Sequence, residues 1–84
     1  MTKTYVLVQT SDGAPPIART LQALPGVLFA QDVLGPYDAV ALTLPDRTEG
    51  GLQAILSQIR GLPGVLRALA APVASGPDGV GEAA

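Results

Sequence analysis

Apolar residues alternate with two different periods along the chain, and the change of period marks the elements. Residues 4–10 (TYVLVQT) are rich in β-branched and aromatic side chains. Tyr5 and Leu7 share one face and Val6 and Val8 the other, so this first predicted strand is apolar on both sides. Ser11-Asp12-Gly13 interrupts it, and Pro15-Pro16 suits a first helical turn, where proline's missing amide is not needed. Ile17, Leu21 and Leu24 then follow at i, i+4, i+7, one face of a short helix that ends at Pro25-Gly26.

Residues 27–34 (VLFAQDVL) read as a second strand, Gly35-Pro36 as a tight turn, and residues 37–44 (YDAVALTL) as a third strand, which together predict a hairpin. Pro45 stops that strand. Asp46 and Glu49 have the spacing of a reciprocal cap, which predicts a second helix starting at Asp46. Its apolar stripe is Leu52, Ile55, Leu56 and Ile59, against which Gly50-Gly51 costs about 1 kcal/mol per glycine relative to alanine. The helix ends near Leu62-Pro63-Gly64, and residues 65–73 (VLRALAAPV) form a fourth strand whose Pro72 fits a sheet edge. Residues 75–84 (SGPDGVGEAA) have little to bury, and are expected to be a disordered tail behind a domain of residues 1–74.

An internal repeat fixes how these elements combine. Residues 21–28 (LQALPGVL) match residues 59–66 (IRGLPGVL) position by position, aligning helix end, turn and strand start. The chain is therefore two βαβ copies, which predicts an α+β, ferredoxin-like βαββαβ fold with a four-stranded antiparallel sheet and both helices on one face. The opposite sheet face then has no internal cover, although neither strand face is polar. It is expected to pack against a second subunit.

Composition agrees with an assembly. In 84 residues, 48% of them apolar, there is room for one small domain. With no Cys and no His, disulfides and the usual zinc or haem ligands are excluded, and oligomerisation is the remaining support; no cofactor is expected. Lys3, Arg19, Arg47, Arg60 and Arg67 are scattered, and the net charge is −2, so direct nucleic-acid binding is not expected. Without a long apolar run or a signal-like start, the reading is a soluble, cytoplasmic protein with no membrane partner. Tyr37 and Asp38 alone are a thin base for acid–base catalysis, so the expectation is a protein that is not an enzyme.

The chemistry concentrates in residues 33–38 (VLGPYD). Gly35 permits positive φ or close backbone approach, and exposed amides around such a turn can receive a carboxylate. Tyr37 offers a ring and a hydroxyl, and Asp38 an acceptor for an ammonium group. The turn could thus hold an amino acid by both ends, or be an ordinary turn with its tyrosine packed at a strand end.

A helix ending in Leu-Pro-Gly-Val, a strand ending in Val-x-Gly-x-Tyr-Asp and a second helix ending in Ile-Arg-x-Leu-Pro-Gly-Val resemble the effector-binding (RAM) domain of the leucine-responsive regulatory protein/AsnC transcription regulators, from about Tyr5 to Val73. Lacking their N-terminal helix-turn-helix, the chain looks like a stand-alone member. The resemblance implies dimers formed through the sheets, an octamer of four dimers, and a small amino-acid effector bound between dimers, with Leu34, Gly35, Tyr37 and Asp38 as the ligand-binding positions. It also implies co-assembly with full-length DNA-binding relatives as a way of acting. Where many relatives carry hydroxyl residues in the last strand, this chain has Ala68, Leu69, Ala70 and Ala71, so the effector's identity stays open. Alternatives are an oligomerisation module without ligand, a free-standing ACT-like amino-acid-binding domain, and, less favoured, an enzyme of the dimeric α/β-barrel monooxygenase type.

Overall fold

The computed structural model of the protein describes residues 3–72. Along the chain run β1 (Thr4–Thr10), α1 (Ala18–Gln22), β2 (Val27–Asp32), β3 (Ala39–Thr43), a 3-10 turn (Pro45–Arg47), α2 (Gly51–Arg60) and β4 (Val65–Pro72). The strands form one antiparallel sheet in the order β2-β3-β1-β4. This is the ferredoxin-like α+β arrangement the repeat predicts. β4 lies at an edge, where Pro72 takes no central ladder position. The expected tail and Val73 fall outside the described residues.

The two halves agree in detail. Leu24 N donates to Leu21 O and Leu62 N to Ile59 O, each at 3.1 Å, and Val27 N to Leu24 O and Val65 N to Leu62 O, each at 3.2 Å. Gly26 and Gly64 follow at φ 84° and 87°. The Gly26 carbonyl accepts from Leu44 N at the end of β3 (2.7 Å), and the Gly64 carbonyl from Ser11 N at the end of β1 (2.8 Å). The ladder then skips Leu28 in β2 and Leu66 in β4, so each edge strand carries a bulge at the matching leucine.

Which sheet face is inside is now settled. Val6, Val8, Ala30, Ala39, Ala41 and Ala68 are buried against Ile17, Leu21, Ile55, Leu56 and Ile59. The four alanines let the helices approach the sheet closely, and each fully buried leucine, isoleucine or valine contributes about 1.5–3 kcal/mol. Among the buried polar groups, the Thr43 hydroxyl donates to the Thr4 carbonyl at 2.7 Å. On the other face, the register aligns Phe29, Leu42 and Tyr5 in one row and Val40, Leu7 and Leu69 in the next. Tyr5, Phe29 and Leu69 are 40–45% exposed.

Four boundaries differ from the sequence reading, the first at α1, which starts at Ala18, so that Pro15-Pro16 precede the helix instead of forming its first turn. β2 stops at Asp32 and β3 starts at Ala39, so the hairpin connection is residues 33–38 rather than a tight Gly35-Pro36 turn. The apolar Val33, Leu34 and Tyr37 extend the strand pattern on paper, but a single bond joins the two sides of the connection, Val33 N to Asp38 O at 2.9 Å. The cap expected at Asp46 and Glu49 does not start α2. Residues 45–47 make a separate 3-10 turn, and α2 begins from Gly50 at φ 89° with no side-chain cap.

Candidate functional site

The connection between β2 and β3 is fastened at its base by two aspartates. Asp38 Oδ2 accepts from Thr10 N at 2.8 Å, and the Asp38 amide donates to the Val8 carbonyl at 2.9 Å. Asp32 Oδ1 accepts from Ile17 N at 3.2 Å and Ala18 N at 3.1 Å, capping α1 from the end of a neighbouring strand. Gln9 Nε2 adds a bond to the Pro36 carbonyl at 3.3 Å. The hairpin is thus tied to the end of β1 on one side and to the start of α1 on the other.

Between these ties lies a groove of about 200 Å3, lined by Thr10, Ala14, Pro15, Pro16, Ile17, Asp32, Val33 and Asp38. A second hollow of similar size continues past Ile17 to Thr20, Leu62 and Pro63. Of the four candidate ligand-binding residues, only Asp38 reaches the groove. Leu34 is 100% exposed at the hairpin tip, Gly35 stands at φ 127° with open space around it, and Tyr37 is half-buried. Positive φ explains why Gly35 is glycine. Among the described residues, the amides of Leu34, Gly35 and Tyr37 donate to no protein acceptor, which leaves them able to receive an anion or a partner's carbonyl.

Asp32 is the residue sequence reasoning missed. It sat inside a predicted strand, and the available signal was a lone acid in an otherwise apolar and amide-bearing run. Thr10, Pro15 and Pro16 were read as strand end and helix start, and the structure adds that they wall the groove. Among the described residues, no group of three or more His, Cys, Asp or Glu is placed to hold a metal ion, and no helix is long and apolar enough to cross a membrane.

No protein-family model and no curated protein matches the chain. Solved structures do. FFRP-DM1, an Lrp/AsnC-like feast/famine regulatory protein, superposes with a TM-score of 0.72 at 26% identity, over 86% of this chain and 97% of its own. TTHA0845 from Thermus thermophilus gives 0.72 at 27% identity, over 93% and 99%. The hypothetical protein PHS023 from Pyrococcus horikoshii gives 0.72 at 24%, over 92% and 94%, and shows the shared fold alone. FFRP-DM1 is matched over nearly its whole length, so the chain shares the fold of that regulatory protein.

Proposed function

We propose that the chain is a non-catalytic sensor, a cytoplasmic RAM-type module that binds a small amino acid where subunits meet and serves the regulation of transcription or of amino-acid metabolism. The observation that carries this reading is the similarity to FFRP-DM1 over 97% of that chain. The unpartnered amides of Leu34, Gly35 and Tyr37 supply a place for a ligand carboxylate, and the fully exposed Leu34 beside them gives a second subunit something to cover. The rows Phe29-Leu42-Tyr5 and Val40-Leu7-Leu69 supply a face for a homodimer, from which an octamer of four dimers could be built. The module would act alone or by joining full-length DNA-binding relatives.

The test is a thermal-shift screen with the standard amino acids, read together with mass by light scattering. A ligand that prefers the native assembly raises its melting temperature by mass action. A sensor gives a concentration-dependent rise with at least one amino acid. No rise with any of them at millimolar concentration would leave the second reading, an oligomerisation module without ligand. One observation favours that alternative: Asp38, expected to meet a ligand's ammonium group, already spends Oδ2 on Thr10 N.

A further inference from the structure

We infer that the open edge of β2 pairs antiparallel with β2 of a second copy, on a two-fold axis at Ala30, and that Arg60 closes the equivalent edge of β4 to such pairing. The inference goes beyond the sensor reading and rests on it in one respect, that the chain assembles. It starts from the internal repeat, whose offset pairs Gln22 with Arg60 and Ala30 with Ala68. In the order β2-β3-β1-β4 these alanines lie on the two outermost strands. Val33 N donates to Asp38 O across the hairpin, and backbone groups alternate sides along a strand, so the amides and carbonyls of Asp32 and Ala30 turn away from β3 to the open edge. In β4 the equivalent carbonyl, that of Ala68, accepts from Arg60 Nη2 at 3.0 Å. Gln22 ends α1 where Arg60 ends α2, yet among the described residues its side chain makes no hydrogen bond, and no side chain covers the Ala30 carbonyl. One edge carries a guard and the other does not.

An unguarded edge is a template for another strand, and proteins that keep an edge single place charges or prolines along it. β4 carries Arg67 as well as the Arg60 contact, and ends in Pro72, which has no amide to donate. Residues 27–31 of β2 (VLFAQ) hold no charge and no proline, and leave Leu28 and Phe29 42% and 45% exposed. A second copy suits this edge better than an unrelated peptide. A residue that presents both its amide and its carbonyl can sit on a two-fold axis and exchange both bonds with its own copy, as a hydrogen-bonded pair of an antiparallel ladder does. With Ala30 on the axis, Phe29 of each copy lies beside Gln31 of the other, Asp32 faces Leu28, and no like charges meet. A single strand pair is smaller than a stable interface, so it joins units already held through the sheet face.

Hydrogen exchange of the full chain, read at single amides in concentrated and in diluted samples, compares Ala30 with Ala68. The expected result is an Ala30 amide slowed, relative to its intrinsic rate, about tenfold or more beyond Ala68, the protection of one added hydrogen bond, and released on dilution. Gln22→Arg gives α1 the residue that α2 carries. It should abolish the protection at Ala30 and reduce the assembly to a dimer by light scattering, whereas Arg60→Gln should leave Ala30 protected. Leu28→Lys puts a charge at an exposed edge position, should act as Gln22→Arg does, and decides if Gln22→Arg does not fold. An oligomeric wild type whose Ala30 amide exchanges as fast as that of Ala68 overturns the proposal and leaves the sensor reading standing. Protection at Ala30 that survives both Gln22→Arg and Leu28→Lys also overturns it. A wild type that stays monomeric at millimolar concentration overturns it together with the assembly that the sensor reading requires.

Discussion

Asp38 and Thr10 are joined by a hydrogen bond of 2.8 Å from the Thr10 amide at the end of β1 to the Asp38 carboxylate just before β3. Because the Asp38 amide also reaches the Val8 carbonyl at 2.9 Å, one residue closes the end of β1 with both its side chain and its backbone. Removing the carboxylate frees an amide that water can reach. Asp38→Ala is therefore expected to cost about 1 kcal/mol, or about 4–8 °C in melting temperature for a domain of this size. Asp38→Asn keeps an acceptor and should stay near wild type. Equal losses for the two variants would show that charge, not the hydrogen bond, holds the connection.

The Asp32 bonds make a parallel prediction for α1. Asp32→Ala leaves the Ile17 and Ala18 amides without their cap, a loss of about 0.5–2 kcal/mol by analogy with N-cap substitutions. The damage should be local, since α2 starts without any side-chain cap. Hydrogen exchange is the direct measurement: amides of α1 should exchange faster in Asp32→Ala, while those of α2 keep their protection. Uniform acceleration across both helices would contradict a local cap.

Gly26 and Gly64 occupy equivalent places in the repeat at nearly the same φ, 84° and 87°, yet their surroundings differ. A Cβ on Gly26 would run into the Thr48 hydroxyl and come within 3.0 Å of Ile55 Cδ1, whereas one on Gly64 would meet Ala14 Cβ at 3.5 Å, an ordinary contact. Both alanine variants suffer left-handed backbone strain of about 1–2 kcal/mol. Gly26→Ala should lose clearly more. The Thr48 Oγ1 it meets is buried without a hydrogen-bond partner, so Thr48→Ala should cost little alone and recover part of the Gly26→Ala loss. Chemical denaturation of the four proteins completes the cycle. Equal losses for the two glycines, or no recovery in the double variant, would refute this account.

The helix ends and the starts of β2 and β4 were legible because each announced itself twice, once by its own period and once in its repeat partner. Val27 and Val65 start strands after the same Leu-Pro-Gly turn, and both copies deliver the same hydrogen bonds. What stayed hidden depended on partners distant in the chain. Asp32 looks like a strand residue until its amide partners at Ile17 and Ala18 are seen, and Asp38 looks like a free acceptor until Thr10 is placed against it. The Asp46–Glu49 spacing was a true local pattern overruled by Pro45 and by the two positive-φ glycines, Gly50 and Gly51, that start α2. The inward face of β1 was illegible for a different reason. Val6-Val8 and Tyr5-Leu7 are both apolar, and alternation carries no information when both faces are apolar.

That last ambiguity, once resolved, gives the sharpest test of assembly. Val6 and Val8 are fully buried against the helices, so a lysine at either position places a charge in the core, and Val6→Lys should unfold the chain. Leu7 lies on the opposite face between Val40 and Leu69, half-buried in the isolated subunit. A lysine there can reach water as long as that face is free, so Leu7→Lys should leave a monomer with its secondary structure intact. If the face packs on a second copy, the same lysine is trapped in a dry contact and the assembly must come apart. The two variants thus separate core from interface. Circular dichroism reports folding and light scattering reports mass, with wild type expected as an oligomer at low micromolar concentration. A monomeric wild type at that concentration, or a Leu7→Lys variant that keeps the wild-type mass, would remove the sheet face from the assembly.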